Sequence, residues 1–300
     1  MKTIGVIGVG AMGRGMVKNL IKAGYRVYAC DASEKCREAA KTLGALVSDS
    51  ALEMSAQVDL LLLSLPSSQA VQTVVQEEDG VLAGLKPGTI ICDMSTTDVA
   101  VEKANYAAAK AHQIGYLGCP VSGGPVGAEN GTMSIMAGGD KQDFDQVESI
   151  FQVIGGNVFY LGEIGAGQVV KICHNMVLAV TATALAESFA TGAKAGVPAK
   201  TLADIYKVSV ANSKTLELFG DNLVNGSYDN TIFAFSHMHK DHHLYIKLAD
   251  ELKMPSVVAS AAYQLYNSGL SKGYHQKDMT AVAQVIEELA NVTIADKKAE

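Results

Sequence analysis

The chain has 300 residues, 48% hydrophobic and 18% charged, with a formal charge of −7. That length suits two globular cores rather than one. The acidic balance argues against nucleic acid or an anionic membrane surface as the main partner.

The first residues, "TIGVIGVG", read as a strand rather than as a basic leader with an apolar core. The run "VDLLLLSLP" is far shorter than a bilayer span, so no membrane partner is expected. Through about residue 163, β-branched runs alternate with helical patterns: "TIGVIG", "RVYAC", "LLLLSL", "TIICDMS", "IGYLGCP" and "SIMAGG". This alternation predicts an α/β, Rossmann-like domain over residues 1–163. Strand signals then vanish. Long alanine-rich helical patterns begin at Gly165, the first closing at Gly196 and Pro198, so an all-α domain is expected over 164–300. The five cysteines (Cys30, Cys36, Cys92, Cys119 and Cys173) show no CxxC spacing and leave one unpaired, which fits a reducing, cytoplasmic setting.

"VIGVGAMGRG" places Gly8, Gly10 and Gly13 as G-x-G-x-x-G between a strand and a helix. In that context the glycines allow a tight turn, close approach of a pyrophosphate and tight helix packing. Ala11 and Met12, inside the motif, are assigned to the same cofactor site. The second strand ends in Asp31, where a carboxylate can accept from two ribose hydroxyls and would repel a 2′-phosphate. NAD is therefore favoured, with NADP possible because Lys35 and Arg37 lie nearby. The other reading of Asp31 is a turn or cap residue. Three further strand ends point to the same edge: Ser64–Pro66 (with Leu65), Met94–Thr96 and Cys119–Gly124.

Four blocks resemble the β-hydroxyacid dehydrogenase family, which includes 3-hydroxyisobutyrate dehydrogenase and tartronate semialdehyde reductase. They are "GVIGVGAMGRGMVKNL", "CPVSGGPVGAENGTMSIMAGG", "GAGQVVKICHN" and "HKD" at 239–241. The resemblance implies hydride transfer between NAD(H) and a short 3-hydroxy acid or its semialdehyde, in a homodimer or homotetramer. It implies that Ser122, Gly123 and Gly124 hold the substrate carboxylate. Lys171 would be the acid/base, Asn175 would orient substrate, Lys240 would line both cofactor and substrate sites, and Phe233 would lie near the nicotinamide.

The residue chemistry suits those roles. Lys171 and Asn175, four apart, share one helix face, and a partly desolvated lysine can titrate near neutrality. Gly167, a turn earlier, is expected to leave room for a ligand. A lone lysine in such a helix would otherwise be read as a snorkelling surface residue. The chain departs from the family pattern at Gly118-Cys119, where Asp-Ala is common, at His174, at His237, and at His242-His243. Cys119 reads as a small buried residue rather than a reactive thiol.

The segment "SHMHKDHHLY" carries four of the seven histidines. Placed on one helix, His237 and Asp241 fall on the apolar stripe of Leu244, Leu248 and Leu252, and Lys240 falls at its edge. His242 falls at the other margin, while His239 and His243 face the opposite side. No third ligand converges on that pair, so no metal site is expected. Competing readings are an imine or ketone reductase of the same fold, a non-catalytic dinucleotide-binding regulator and a metal-dependent dehydrogenase.

Overall fold

The computed structural model describes residues 2–295. They form two compact units, one ending at Lys171 and the other beginning at Ile172. The division falls inside a helix, beyond the change in sequence character near residue 163. In its first turn Gln168 is bonded to Ser95 and Thr97, just past one strand end of the N-terminal unit.

The N-terminal unit runs β1 (Thr3–Ile7), α1 (Ala11–Lys22), β2 (Arg26–Cys30), α2 (Glu34–Thr42), β3 (Leu46–Ser48), α3 (Ala51–Ser55), β4 (Leu60–Leu63) and α4 (Ser68–Gln76). It continues with β5 (Ile90–Asp93), α5 (Val99–Ala111), β6 (Gly115–Gly118), β7 (Val121–Ser122), α6 (Gly124–Asn130), β8 (Met133–Gly139), α7 (Lys141–Ile154) and β9 (Gly155–Tyr160). The sheet order is β3-β2-β1-β4-β5-β6-β8-β7, with β9 beside β8. Strands β1 to β6 are all parallel, whereas β8 is antiparallel to β6 and β7. Central strands such as Leu60–Leu63 are buried on both faces, which is why they read as unbroken apolar runs.

The sequence pattern marks six strands; the sheet has nine. The additional ones are β3, β7 and β9. The first two are three and two residues long, too short to show a period. The third opens on two glycines and is only partly buried. Because β1 to β6 run in parallel, the residues after β1, β2, β4, β5 and β6 lie along one edge. The order reverses between β1 and β4, where an open sheet forms a ligand crevice.

The helical unit contains most of α8 (Ala166–Lys194), then α9 (Ala199–Lys207), α10 (Lys214–Asn225), α11 (Phe235–Glu251), α12 (Val257–Ser271) and α13 (Val282–Ala290). Its core joins Ala182, Ala186 and Phe189 of α8 to Leu216, Leu223, Phe235, Met238 and Tyr266. The Phe235 and Tyr266 rings pack tilted, 4.9 Å between centroids. By length and composition α8 could cross a bilayer (29 residues, hydropathy 1.6 over its best window). It is thus a longer apolar element than "VDLLLLSLP". Its small and apolar side chains, however, build this unit's core.

Gly167 does not open space for a ligand. A Cβ there would lie 2.2 Å from the Met136 carbonyl oxygen and 3.0 Å from that of Gly118, so its missing side chain lets α8 press against the backbone beside β6 and β8. Gly167→Ala is therefore expected to lower stability by about 1–3 kcal/mol through overpacking, measured by urea unfolding. An unchanged unfolding midpoint with a raised substrate KM would restore the ligand-space reading.

Candidate active site

The glycine turn is built as its sequence requires. Gly8 has φ +84°, and a Cβ on it would collide with the Ser64 carbonyl oxygen at 2.2 Å; one on Gly13 would lie 1.9 Å from the Gly8 oxygen. A Cβ on Gly10 would meet nothing within 4 Å. This is the open side, where α1 begins with no side-chain cap on its first N–H groups. Such a terminus suits a pyrophosphate. Ala11 and Met12 form the first turn of α1.

Asp31 anchors the neighbouring loop. Its Oδ2 accepts from the Val9 N–H and its Oδ1 from the Ser33 N–H, both at 2.8 Å. Asp31 therefore acts as a loop anchor, with spare lone pairs for ribose hydroxyls. Arg37 is committed elsewhere: its guanidinium donates to the Asp31 and Ala32 carbonyls and pairs with Asp49 at 2.9 Å. These residues fit a bound dinucleotide. Leu65, before Pro66 at the end of β4, donates its N–H to Ser95 Oγ at 2.9 Å, tying that strand end to the one carrying Thr96.

The start of α8 is locked to the end of β5. Gln168, fully buried, accepts the Thr97 N–H at 3.0 Å and donates to the Ser95 carbonyl at 2.9 Å. These two bonds straddle Thr96 and set the helix that carries Lys171 three residues later. Lys171 is only 7% exposed, so it is no snorkelling surface residue. Ser122 ends β7, and Gly123 and Gly124 follow with φ of +129° and +62°. Cys119 is fully buried. Burial, then Cys92 beside it, pushes its thiol well above the usual range, which leaves it inert.

In the helical unit Asn175 is 1% exposed. Its Nδ2 donates to Asp241 Oδ2 at 2.5 Å, and its Oδ1 contacts His174 Nδ1 at 2.8 Å. Lys240 Nζ pairs with the other Asp241 oxygen at 2.9 Å. Asp241, 3% exposed, thus joins the two residues singled out on α8 and α11. Its role was missed in the sequence, although a carboxylate on an apolar stripe was the available signal. Phe233 lies outside this chain of contacts: its N–H, like that of Ile232, donates to Asp278.

The histidines divide differently from the helical-wheel expectation. His237 is exposed, packed only loosely on Phe233 with ring centroids 6.1 Å apart. Partial desolvation, then the Lys240 charge, lowers its pKa. His242 is fully buried against Tyr263 and Tyr266 of α12. The wheel centred the buried stripe on Leu244 and Leu248, whereas α12 covers a face shifted toward Met238 and His242. His239 bonds Asn267 and His243 bonds Tyr263, at 2.7 and 2.9 Å. Both are therefore α12 contacts. Among the described residues no group of three or more His, Cys, Asp and Glu is placed to hold a metal.

Residues 3–162 match the model of the NAD binding domain of 6-phosphogluconate dehydrogenase. Residues 165–286 match that described as NAD-binding of NADP-dependent 3-hydroxyisobutyrate dehydrogenase. The chain belongs to the 3-hydroxyisobutyrate (β-hydroxyacid) dehydrogenase family. It is an NAD(P)-dependent enzyme of that family, with the Rossmann-like and all-helical domains the resemblance implied. It is 36% identical to a Dictyostelium discoideum protein described as "Probable 3-hydroxyisobutyrate dehydrogenase, mitochondrial", over 94% of this chain and 89% of that one. It is 34% identical to the NAD-dependent L-serine dehydrogenase of Pseudomonas aeruginosa, over 96% and 98%. Among solved structures, 3-hydroxyisobutyrate dehydrogenase from Salmonella typhimurium superposes with a TM-score of 0.87 at 30% identity, covering 95% of this chain and all of that one (100%).

Burial of His242 pushes its pKa down to about 4. A depressed histidine contributes stability above its unfolded value of 6.5 that is lost as pH falls through about 4. His242→Phe is expected to flatten that acid slope in thermal unfolding; an identical slope would show that His242 is not the titrating group.

Proposed function

We propose that the enzyme oxidises 2-substituted 3-hydroxypropionates to semialdehydes, and reduces them back, with NAD as hydride carrier and Lys171 as acid/base. The observation carrying this reading is the buried Lys171 on a helix whose start Gln168 fixes to the β5 end at Ser95 and Thr97. 3-Hydroxyisobutyrate and L-serine, named for two relatives, share a carboxylate and a hydroxymethyl group and differ at carbon 2. A site that holds the carboxylate and the hydroxyl can accept either, so the carbon-2 substituent sets selectivity.

In this reading Ser122 and the backbone of Gly123 and Gly124 bind the carboxylate. Neutral Lys171 Nζ takes the hydroxyl proton while hydride leaves carbon 3, and a carbonyl forms. In reduction the Lys171 ammonium returns the proton to the forming alkoxide. Asn175, one turn along the same face and held by His174 and Asp241, orients the substrate oxygen. Bound NAD supplies the hydride acceptor. Gly8, Gly10, Ala11, Met12, Gly13, Leu65, Pro66 and Thr96 would hold it along the strand ends of the N-terminal unit, and the family resemblance assigns Phe233 and Lys240 to the cofactor as well. Asp31, anchored at Val9 and Ser33, favours unphosphorylated ribose, and Arg37 is already paired. We also propose a cytoplasmic homodimer or homotetramer; five free thiols suit a reducing compartment.

Lys171→Ala is expected to lower kcat by at least about 100-fold while NADH binding, followed by fluorescence, stays unchanged. Near-normal turnover would remove Lys171 from the chemistry. A panel of 2-substituted 3-hydroxypropionates should show higher kcat/KM with NAD than with NADP. Activity with NADP alone would defeat the Asp31 argument.

A further inference from the structure

One buried carboxyl has no part in the chemistry above. Glu102, on α5, is 0% exposed. It fills space that a side chain at position 118 would need: a Cβ on Gly118 would lie 1.8 Å from Glu102 Oε1. That oxygen accepts the Gly165 N–H at 3.0 Å, at the turn leading into α8. The second oxygen, Oε2, meets no hydrogen-bond partner among the described residues. An ionised carboxylate with a buried, unsatisfied oxygen is far costlier than a neutral acid in the same place.

The surrounding groups oppose one another, and burial decides the outcome. Desolvation, then the Asp93 carboxylate from β5, raises the Glu102 pKa, against the Gly165 N–H, the Gln168 amide and the Lys103 charge; it reaches about 8. The Tyr116 phenol of β6 and the Cys119 thiol just after it also face Glu102, and burial keeps both neutral. Asp93 itself is engaged as an acceptor, from Ser95 N–H at 3.0 Å and Tyr116 hydroxyl at 3.2 Å. The site therefore holds one committed carboxylate and one carboxyl with reason to keep its proton.

We propose that Glu102 is a positioning residue for Lys171, anchoring Gly165 as a neutral carboxylic acid and, with Gln168, fixing the start of α8. The inference rests on Lys171 as acid/base and adds the device that sets its placement. Losing the proton puts an unsolvated charge beside Asp93, which the site relieves by moving the side chain or admitting water. The anchor then loosens.

The test compares Glu102→Gln, which mimics the neutral acid, with Glu102→Ala. A carboxyl raised from 4.5 to about 8 contributes stability that is whole below 4.5 and gone above about 8. From about pH 5 to about pH 9, the wild-type melting temperature should therefore fall further than that of Glu102→Gln, by about 5 °C or more. Near pH 6.5, Glu102→Gln should keep kcat within about threefold, and Glu102→Ala should lose about tenfold in kcat with little change in cofactor KM. Parallel melting slopes, or a Glu102→Ala enzyme with normal kcat, would overturn the proposal. If Glu102→Gln does not fold, infrared spectra of the wild type decide. The protonated-carboxyl band must vanish between about pH 6 and about pH 9.5, and its persistence or absence throughout overturns the assignment. The melting comparison needs no substrate. A failed hydroxy-acid assay beside divergent slopes would therefore strike the proposed reaction and leave the Glu102 protonation standing.

Discussion

The two hydrogen bonds of Gln168 are the constraint on which the candidate site depends. One side chain spans Ser95 and Thr97, so the end of β5 and the first turn of α8 are fixed to each other through a buried amide. Gly167, one residue earlier, makes the approach sterically possible. Lys171 then follows three residues later on a helix whose starting point cannot drift without leaving buried polar groups unpaired. A lysine intended for proton transfer needs such fixed placement, because a small displacement at a reacting atom costs rate steeply.

The same logic of small residues and buried polar ties recurs along the edge. Gly8 and Gly13 let β1, β4 and α1 close into a turn whose open side is at Gly10. Asp31 holds that turn to the start of the next loop. In the helical unit Asp241 links Asn175 to Lys240, so an amide and an ammonium singled out on different helices share one carboxylate. The Gln168 bonds, Val9 to Asp31 and Asn175 to Asp241 are partly or fully buried hydrogen bonds between residues distant in sequence, whereas Ser33 and Lys240 lie next to the carboxylates they meet. Each is the kind of contact that fixes geometry more than it adds net stability.

Much of this was legible in the sequence because it is local. The glycine turn, the acidic end of β2, the change from strand to helix patterns and the Lys171–Asn175 spacing are all read within a few dozen residues. The errors come from partners that lie far along the chain. Gly167 looked like space for a ligand because its neighbours at Met136 and Gly118 are not visible from the helix alone. The helical period of α11 carries no information about where α12 packs, and that packing buries His242 while His237 stays exposed. Glu102 gave no signal at all until Gly118 was seen to leave its carboxyl room.

Substrate selectivity lies at a finer scale than the fold. Relatives named for L-serine and for 3-hydroxyisobutyrate match this chain over nearly its whole length, so one scaffold serves more than one substituent at carbon 2. What the proposed reaction requires of every substrate is a hydrogen on carbon 3 that leaves as hydride. The most direct measurement therefore uses a 3-hydroxy acid with both hydrogens on carbon 3 replaced by deuterium, with NAD and the wild-type enzyme, followed by mass analysis of the reduced cofactor. The account predicts one deuterium carried into each NADH formed. Reduced cofactor without deuterium, or substrate consumed with no reduced cofactor, would contradict it.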